Sequence, residues 1–237
     1  MSPTASDDQA PSELITAVGN LVGTGPVPLG AYTLAELCAV GALIDFLEGQ
    51  PSPEVVAEAV RSLAGRDLIA TDAGADHIDV RGDLGIALAF EQRSQVVVDA
   101  RRTGTEPDTP WRFLLLPQPE KVTLEVAIDA LGIHFFWLRK ADDALSRLLE
   151  QLPSGDPGPR EANLDTVLAA SPNTALVTVT RWHDGGDRES TDVILARQDG
   201  RLHVFLRDPD QPDRFVAQGI GGDAVRTLIG GLIAQPT

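Results

Sequence analysis

The chain is short of cysteine, lysine, aromatics and long apolar runs, and each shortage excludes something. Cys38 is the only cysteine, so no internal disulfide can form. It falls at an apolar position of a helical pattern and reads as core. The longest apolar stretch, Leu34 to Leu47, carries Glu36 and Asp45 and is too short to span a bilayer. The N-terminus lacks a basic patch followed by an apolar run, so the expectation is a cytoplasmic protein without a secretory signal. Positive charge is scarce as well: 19 Lys+Arg against 35 Asp+Glu give a net charge of −16. Phosphate backbones and anionic lipid both need cationic partners, so nucleic-acid and membrane-surface roles are disfavoured. A partner that is itself basic or apolar fits better.

Signatures of catalysis are missing too. His77, His134, His183 and His203 lie far apart in sequence and near no second cysteine, so metal-ligand spacing is absent. There is no Gly-x-Ser-x-Gly elbow. Asp142-Asp143 and Asp72 to Asp76 read as a solvated helix start and a turn. Gly219-Ile220-Gly221-Gly222-Asp223 opens a helix but lacks a following Lys-Ser/Thr pair, so it reads as a tight connector rather than a phosphate cradle. The expectation is a protein that is not an enzyme and takes neither cofactor nor metal.

What is present is a pattern written twice: short helix, about four strands, then an amphipathic helix running into a proline. In the first copy Asp83 caps Leu84 to Phe90. Strands follow at Gln95–Arg101, Trp111–Leu116, Lys121–Ile128 and Ile133–Leu138, and a helix spans Ala141 to Leu152. In Lys121–Ile128, Val122, Leu124, Val126 and Ile128 alternate with Thr123, Glu125 and Ala127. In the second copy Asn163 caps Leu164 to Ala169. Strands follow at Ala175–Trp182, Asp192–Gln198, Arg201–Arg207 and Arg214–Gln218, and Asp223 caps a last helix with Val225, Leu228, Ile229 and Leu232 inward. Asp199-Gly200 marks a hairpin, because that turn needs positive φ.

Ahead of the copies, residues 1–11 read as a mobile polar tail. Ser12 caps a first helix, which Gly23 to Pro28 breaks. Thr33 and Glu36 stand at capping-box spacing before a helix with Leu37, Cys38, Gly41, Ile44 and Leu47 inward. Ser52 caps, and Pro53 starts, a third helix that buries Val56, Val60, Leu63 and Ala64. Short strands follow around an acidic turn. The silhouette is winged-helix-like, but the third helix offers only Arg61 and Arg66 beside Glu54 and Glu58, a poor set for phosphates and base edges.

The expected fold is therefore α+β: a quasi-two-fold duplicated unit of antiparallel sheet plus helices, with an N-terminal helical subdomain. The halves are 12–153 and 160–237, joined by a Pro/Gly-rich linker at Ser154 to Pro159. The segment Arg101 to Pro110 is long for a connection between adjacent strands. It adjoins Trp111 and Phe113 in a chain only 5% aromatic. Arg102, Glu106, Asp108, Trp111 and Phe113 are the expected partner-binding patch, with apolar contact from the aromatics and charge from the rest.

Val60-Arg61-Ser62-Leu63-Ala64-Gly65-Arg66-Asp67-Leu68-Ile69, then Ile78-Asp79-Val80 and Asp83-Leu84-Gly85-Ile86-Ala87-Leu88-Ala89, resembles the N-terminal part of the EspG family. These are cytosolic chaperones of actinobacterial type VII (ESX) secretion. Asp67 stands where that family usually has glycine. Asp199-Gly200-Arg201 and the closing helix after Gly219 to Asp223 extend the resemblance over about Pro53 to Ile233. It implies a quasi-two-fold body that binds the helical tip of a PPE-type protein in a PE–PPE substrate pair and keeps it soluble until secretion. The Arg101–Pro110 loop is the nearest counterpart of that family's binding loop. Two other readings are weighed beside it: a small-ligand binder or enzyme whose curved sheet wraps an apolar cavity, and a winged-helix regulator.

Overall fold

The computed structural model describes residues 9–70, 78–106, 109–183, 187–208, 210–211 and 213–234, with backbone alone over 9–16. Most of the expected tail, the turn at Asp72 to Asp76, His77 and Asp108 lie outside the described residues.

Helix α1 (Gln9–Thr24) starts upstream of Ser12, the cap expected from sequence. After Gly25 the chain does not merely break but forms strand β1 (Val27–Tyr32). Thr33 then starts α2 (Leu34–Val40) with the expected capping box: its backbone N–H donates to Glu36 Oε2 at 2.9 Å, and its own oxygen accepts from the Glu36 N–H. That helix is shorter than its apolar pattern. Gly41, at φ +72, ends it in the left-handed conformation only glycine adopts without strain. Ile44, expected to point inward, lies in a single 3-10 turn and is 66% exposed. Helix α3 (Pro53–Gly65) has the Ser52 cap and Pro53 as expected, but it buries Ala59 and Leu63, and Ala64 faces solvent. Strands β2 (Ile69–Ala70) and β3 (Asp79–Val80) pair as a small separate ribbon.

The first repeat is α4 (Gly82–Gln92), β4 (Val96–Thr103), β5 (Arg112–Pro117), β6 (Val122–Ile128), β7 (His134–Lys140) and α5 (Ala141–Gln151). Asp83 lies in the first turn of α4 rather than capping it; the N-cap is Arg81, which makes no side-chain cap bond. The stretch after α5 is not a free linker, since β8 (Asp156–Pro157) pairs in parallel with Arg201 and Leu202. The second repeat is α6 (Leu164–Ala170), β9 (Asn173–Trp182), β10 (Arg188–Gln198), β11 (Arg201–Arg207), β12 (Phe215–Ala217) and α7 (Gly222–Ala234). Asn163 caps α6 as expected, accepting from Thr166 N–H at 3.0 Å. Asp199 and Gly200 have φ of +50° and +79° in their hairpin.

Each repeat is a four-stranded antiparallel meander, and the two join through their first strands. β4 and β9 pair antiparallel from Val96↔Arg181 to Thr103↔Thr174, giving the strand order β1-β7-β6-β5-β4-β9-β10-β11-β12. The pseudo-two-fold axis runs through that central pair, and the fold is α+β with one sheet shared by both halves.

Alternation sends each strand's residues to two unlike faces. On one face Val98, Phe113, Val177, Val193 and Val204 pack under α5 and α7. On the other, Leu114, Leu124, Val126, Phe136 and Leu138 pack under α1 to α4, and Ala196 and Phe205 pack with Val167 of α6. The helices of this second face sit at its two ends.

Candidate functional site

The residues expected to form one contact patch are dispersed. Phe113 is 1% exposed and packs in the core beneath α5 and α7. As an inward residue of a strand paired on both sides it is closed to any partner, so its place in the patch is corrected. Trp111 packs against the opposite core cluster, and its indole Nε1 donates to the Asp129 carbonyl at 2.9 Å, so it anchors the strand entry. Arg101, Arg102 and Thr103 are not loop at all. They extend β4 opposite Leu176, Ala175 and Thr174, and the connection proper begins at Gly104, where φ is +69. Only Arg102 and Glu106 come together, on the wall of a polar cleft of about 290 Å³ at the strand ends.

Among the described residues the least covered part of the second face lies along β9, between Phe46 and Glu48, which reach over β4, and α6, against which Ile194 of β10 packs. At its centre Leu176 is 37% exposed, facing Arg101 on one side and Ile194 on the other. Beside it a row of polar side chains crosses the seam. Buried Arg112 grips Asp99 with two bonds of 2.8 Å, from Nε to Oδ1 and from Nη2 to Oδ2. Arg101 reaches the same carboxylate at 3.1 Å and Glu48 at 2.9 Å. Next across the sheet, Thr178 Oγ1 donates to Asp192 Oδ1 at 2.8 Å, and Arg207 pairs with the same aspartate. Each carboxylate in this row has a cationic partner, so the strip is polar but locally neutralised.

Other buried charge serves architecture. Glu125, under α5, holds Arg147 Nε at 3.0 Å and lies 2.9 Å from Arg139 Nε. Burial pushes its carboxyl above the usual range against the pull of both arginines. Glu91 accepts from Leu43 N–H at 2.6 Å, where Leu43 is held at φ +53. Burial, with Asp45 adding to it, pushes the Glu91 carboxyl up to about 7. Glu36 bonds the Thr33 N–H, Ser62 and Arg66. Although burial opposes it, these bonds hold its carboxyl below the usual value. Arg66 is thus spent on Glu36, and Arg61 on Glu58 at 2.5 Å. Arg61 of α3 and Arg66, its C-cap, each have a carboxylate partner.

His134 and His203 are buried, and Nδ1 of each has no hydrogen-bond partner among the described residues. Burial lowers the His134 pKa. Cys38, expected in the core, is half-buried beside Pro51 and Val56 at a shallow apolar depression. Among the described residues no group of three or more His, Cys, Asp or Glu could hold a metal ion, and no helix is long and apolar enough to cross a membrane.

Sequence reasoning missed the polar row. Its signal was Asp99 within Val-Val-Val-Asp-Ala and Arg112 ahead of Phe-Leu-Leu-Leu: a charge in an apolar strand needs an opposite charge on the neighbouring strand. No family model and no curated protein matches the chain.

Proposed function

We propose that this is a non-catalytic binding protein that holds a helical polypeptide, acting as a chaperone for a secretion substrate of the PE/PPE type. The observation that carries the reading is the bare strip of sheet around Leu176, with helices flanking it at both ends of the same face. A helix laid there completes the layer. Leu176 supplies an apolar contact at the centre of the strip, and Thr178, Asp192 and Arg207 offer oriented polar groups beside it. The chain's net charge of −16 favours a basic or neutral helix over an acidic one. The likeness of Val60 to Ile69 and of Ile78 to Ala89 to EspG-type chaperones supports the same class of partner.

The test is co-expression with a helical PE/PPE-type pair and affinity capture. Wild-type protein retains the pair in soluble form, and Leu176→Glu, a change at a part-exposed position, loses it while its circular dichroism is unchanged. Undiminished capture by the variant contradicts the proposed surface.

A further inference from the structure

The cleft at the strand ends has chemistry that the bare strip does not. Its floor and walls come from both repeats: Arg102 and Thr103 of β4, Asn173 and Thr174 of β9, Arg197 of β10, and the chain leaving α5. Arg102 faces Ala175 and Arg197 faces Asn173, so the two arginines sit on the strands either side of β9. Both belong to the face that packs under α5 and α7. They lie two strand spacings apart and two residues out of register, a diagonal of about 12 Å across the sheet, and two long side chains can converge over that gap.

Arg102 is set apart from most arginines of the chain by its partners. Arg61, Arg66, Arg81, Arg93, Arg112 and Arg147 each bond a carboxylate. Arg102 Nη1 instead donates to two neutral oxygens, the Pro110 carbonyl at 3.0 Å and Gln151 Oε1 at 3.2 Å. Its Nε and Nη2 have no partner among the described residues. A half-buried guanidinium bonded only to neutral oxygens among the described residues has donors left for an anion, and a planar fork of donors matches a carboxylate. Ser154 and Thr109 line the same space, while the Thr103 and Thr174 hydroxyls bond each other at 2.7 Å on the opposite face of the same strand ends.

The remaining groups set the charge of the guest. Glu106 and Glu150 stand on the rim, and α5 directs its C-terminal, partially negative end toward the cleft. These repel a dianion such as phosphate and tolerate a single negative charge held against the arginines. The volume, about 290 Å³, lies at the small end of ligand sites. We infer that this cleft is a binding site for a terminal α-carboxylate, that of a free amino acid or of the last residue of a polypeptide, held between Arg102 and Arg197. The site is independent of the helical partner, because it stands on different side chains from the Leu176 strip.

Titration of the 15N-labelled full chain tests it, with four probes: alanine, Nα-acetyl-trialanine, Nα-acetyl-trialanine amide and inorganic phosphate. The expected result is saturable movement of the Thr103, Thr105 and Thr174 amide signals with a free carboxylate, and none with the amide or with phosphate. Arg197→Gln, at an exposed position with no ion pair among the described residues, weakens binding at least tenfold without altering the rest of the spectrum. Stronger binding of the acetylated peptide assigns the chain terminus as guest, and stronger binding of alanine assigns the free amino acid; either upholds the site. No saturable movement with either, equal movement with the amide, tighter binding of phosphate, or no effect of Arg197→Gln overturns it.

Discussion

Arg112 shows 1% of its side chain to solvent and Asp99 10%, yet both are ionic and bonded to each other twice. Removing one partner strands the other charge, which costs about 3–5 kcal/mol, whereas removing both together costs far less than the sum. Asp99→Leu is therefore expected to lower the urea midpoint severely, and Asp99→Leu with Arg112→Met to recover much of the loss. Glu91 gives a different signature. Its folded carboxyl holds a proton up to about 7, against a reference value of 4.5. Between those values the folded chain binds more protons than the unfolded one. This group's contribution is therefore full below about pH 4.5 and lost as pH rises through 7. At 1.36 kcal/mol per unit the contribution is on the order of 3 kcal/mol at most. Urea titrations at pH 5 and pH 8 should show wild type losing more stability across that range than Glu91→Gln; equal losses contradict the assignment. Neither feature was fully legible in sequence. A charge inside an apolar strand announces that a partner exists, but which residue answers it depends on register between strands far apart in the chain.

At the scale of elements, local chemistry was the readable part. The Thr33–Glu36 capping box, the Ser52 and Asn163 caps and the Asp199-Gly200 hairpin all stand where residue type puts them, because each is decided within four residues. Elements decided by distant contacts were not readable. Strand β1 exists because Val27 to Tyr32 find β7, with a register shift near Gly30; alone, Gly23 to Pro28 looks like a break. The Pro/Gly stretch after α5 likewise looks like a tether, but it is a strap pinned to β11. Gly158 N–H donates to the Leu202 carbonyl at 2.8 Å, and a Cβ at Gly158 would lie 2.7 Å from buried His203 Nδ1. Gly158→Ala is thus expected to cost about 1–3 kcal/mol through overpacking and to raise hydrogen exchange at the amide of residue 158, which donates to Leu202, and at nearby strap amides. A thermal shift of less than a degree with unchanged exchange speaks against the strap.

For the whole molecule, the duplication visible in sequence is real in topology, but the boundary between halves is not a domain boundary in the ordinary sense. The β4–β9 pairing runs eight residue pairs through the middle of one sheet, and the core under α5 and α7 takes residues from both repeats. Residues 12–153 or 160–237 expressed alone would leave a long central edge unpaired, which invites aggregation. The full chain should unfold in one cooperative transition, with β4 and β9 amides exchanging only on global unfolding. Two separated transitions contradict the shared sheet. Phe113 leaves the expected contact patch for the same reason the fold could be read. Alternation marks Phe113 as facing one side, but only the arrangement of helices decides whether that side is open.

The central claim, that a helical polypeptide lies on the bare strip of the sheet, is tested most directly by site-specific photo-crosslinking. A photoreactive residue is placed at Leu176 and, as a control, at Leu131, which is 86% exposed on the β6–β7 hairpin tip beyond the helix-covered end of the sheet. In the co-expressed complex, the account predicts efficient crosslinks from position 176 to one face of a single helix of the partner, spaced three or four residues apart, and none from position 131. Crosslinks from 131 alone, or scattered crosslinks from 176 without helical spacing, contradict it.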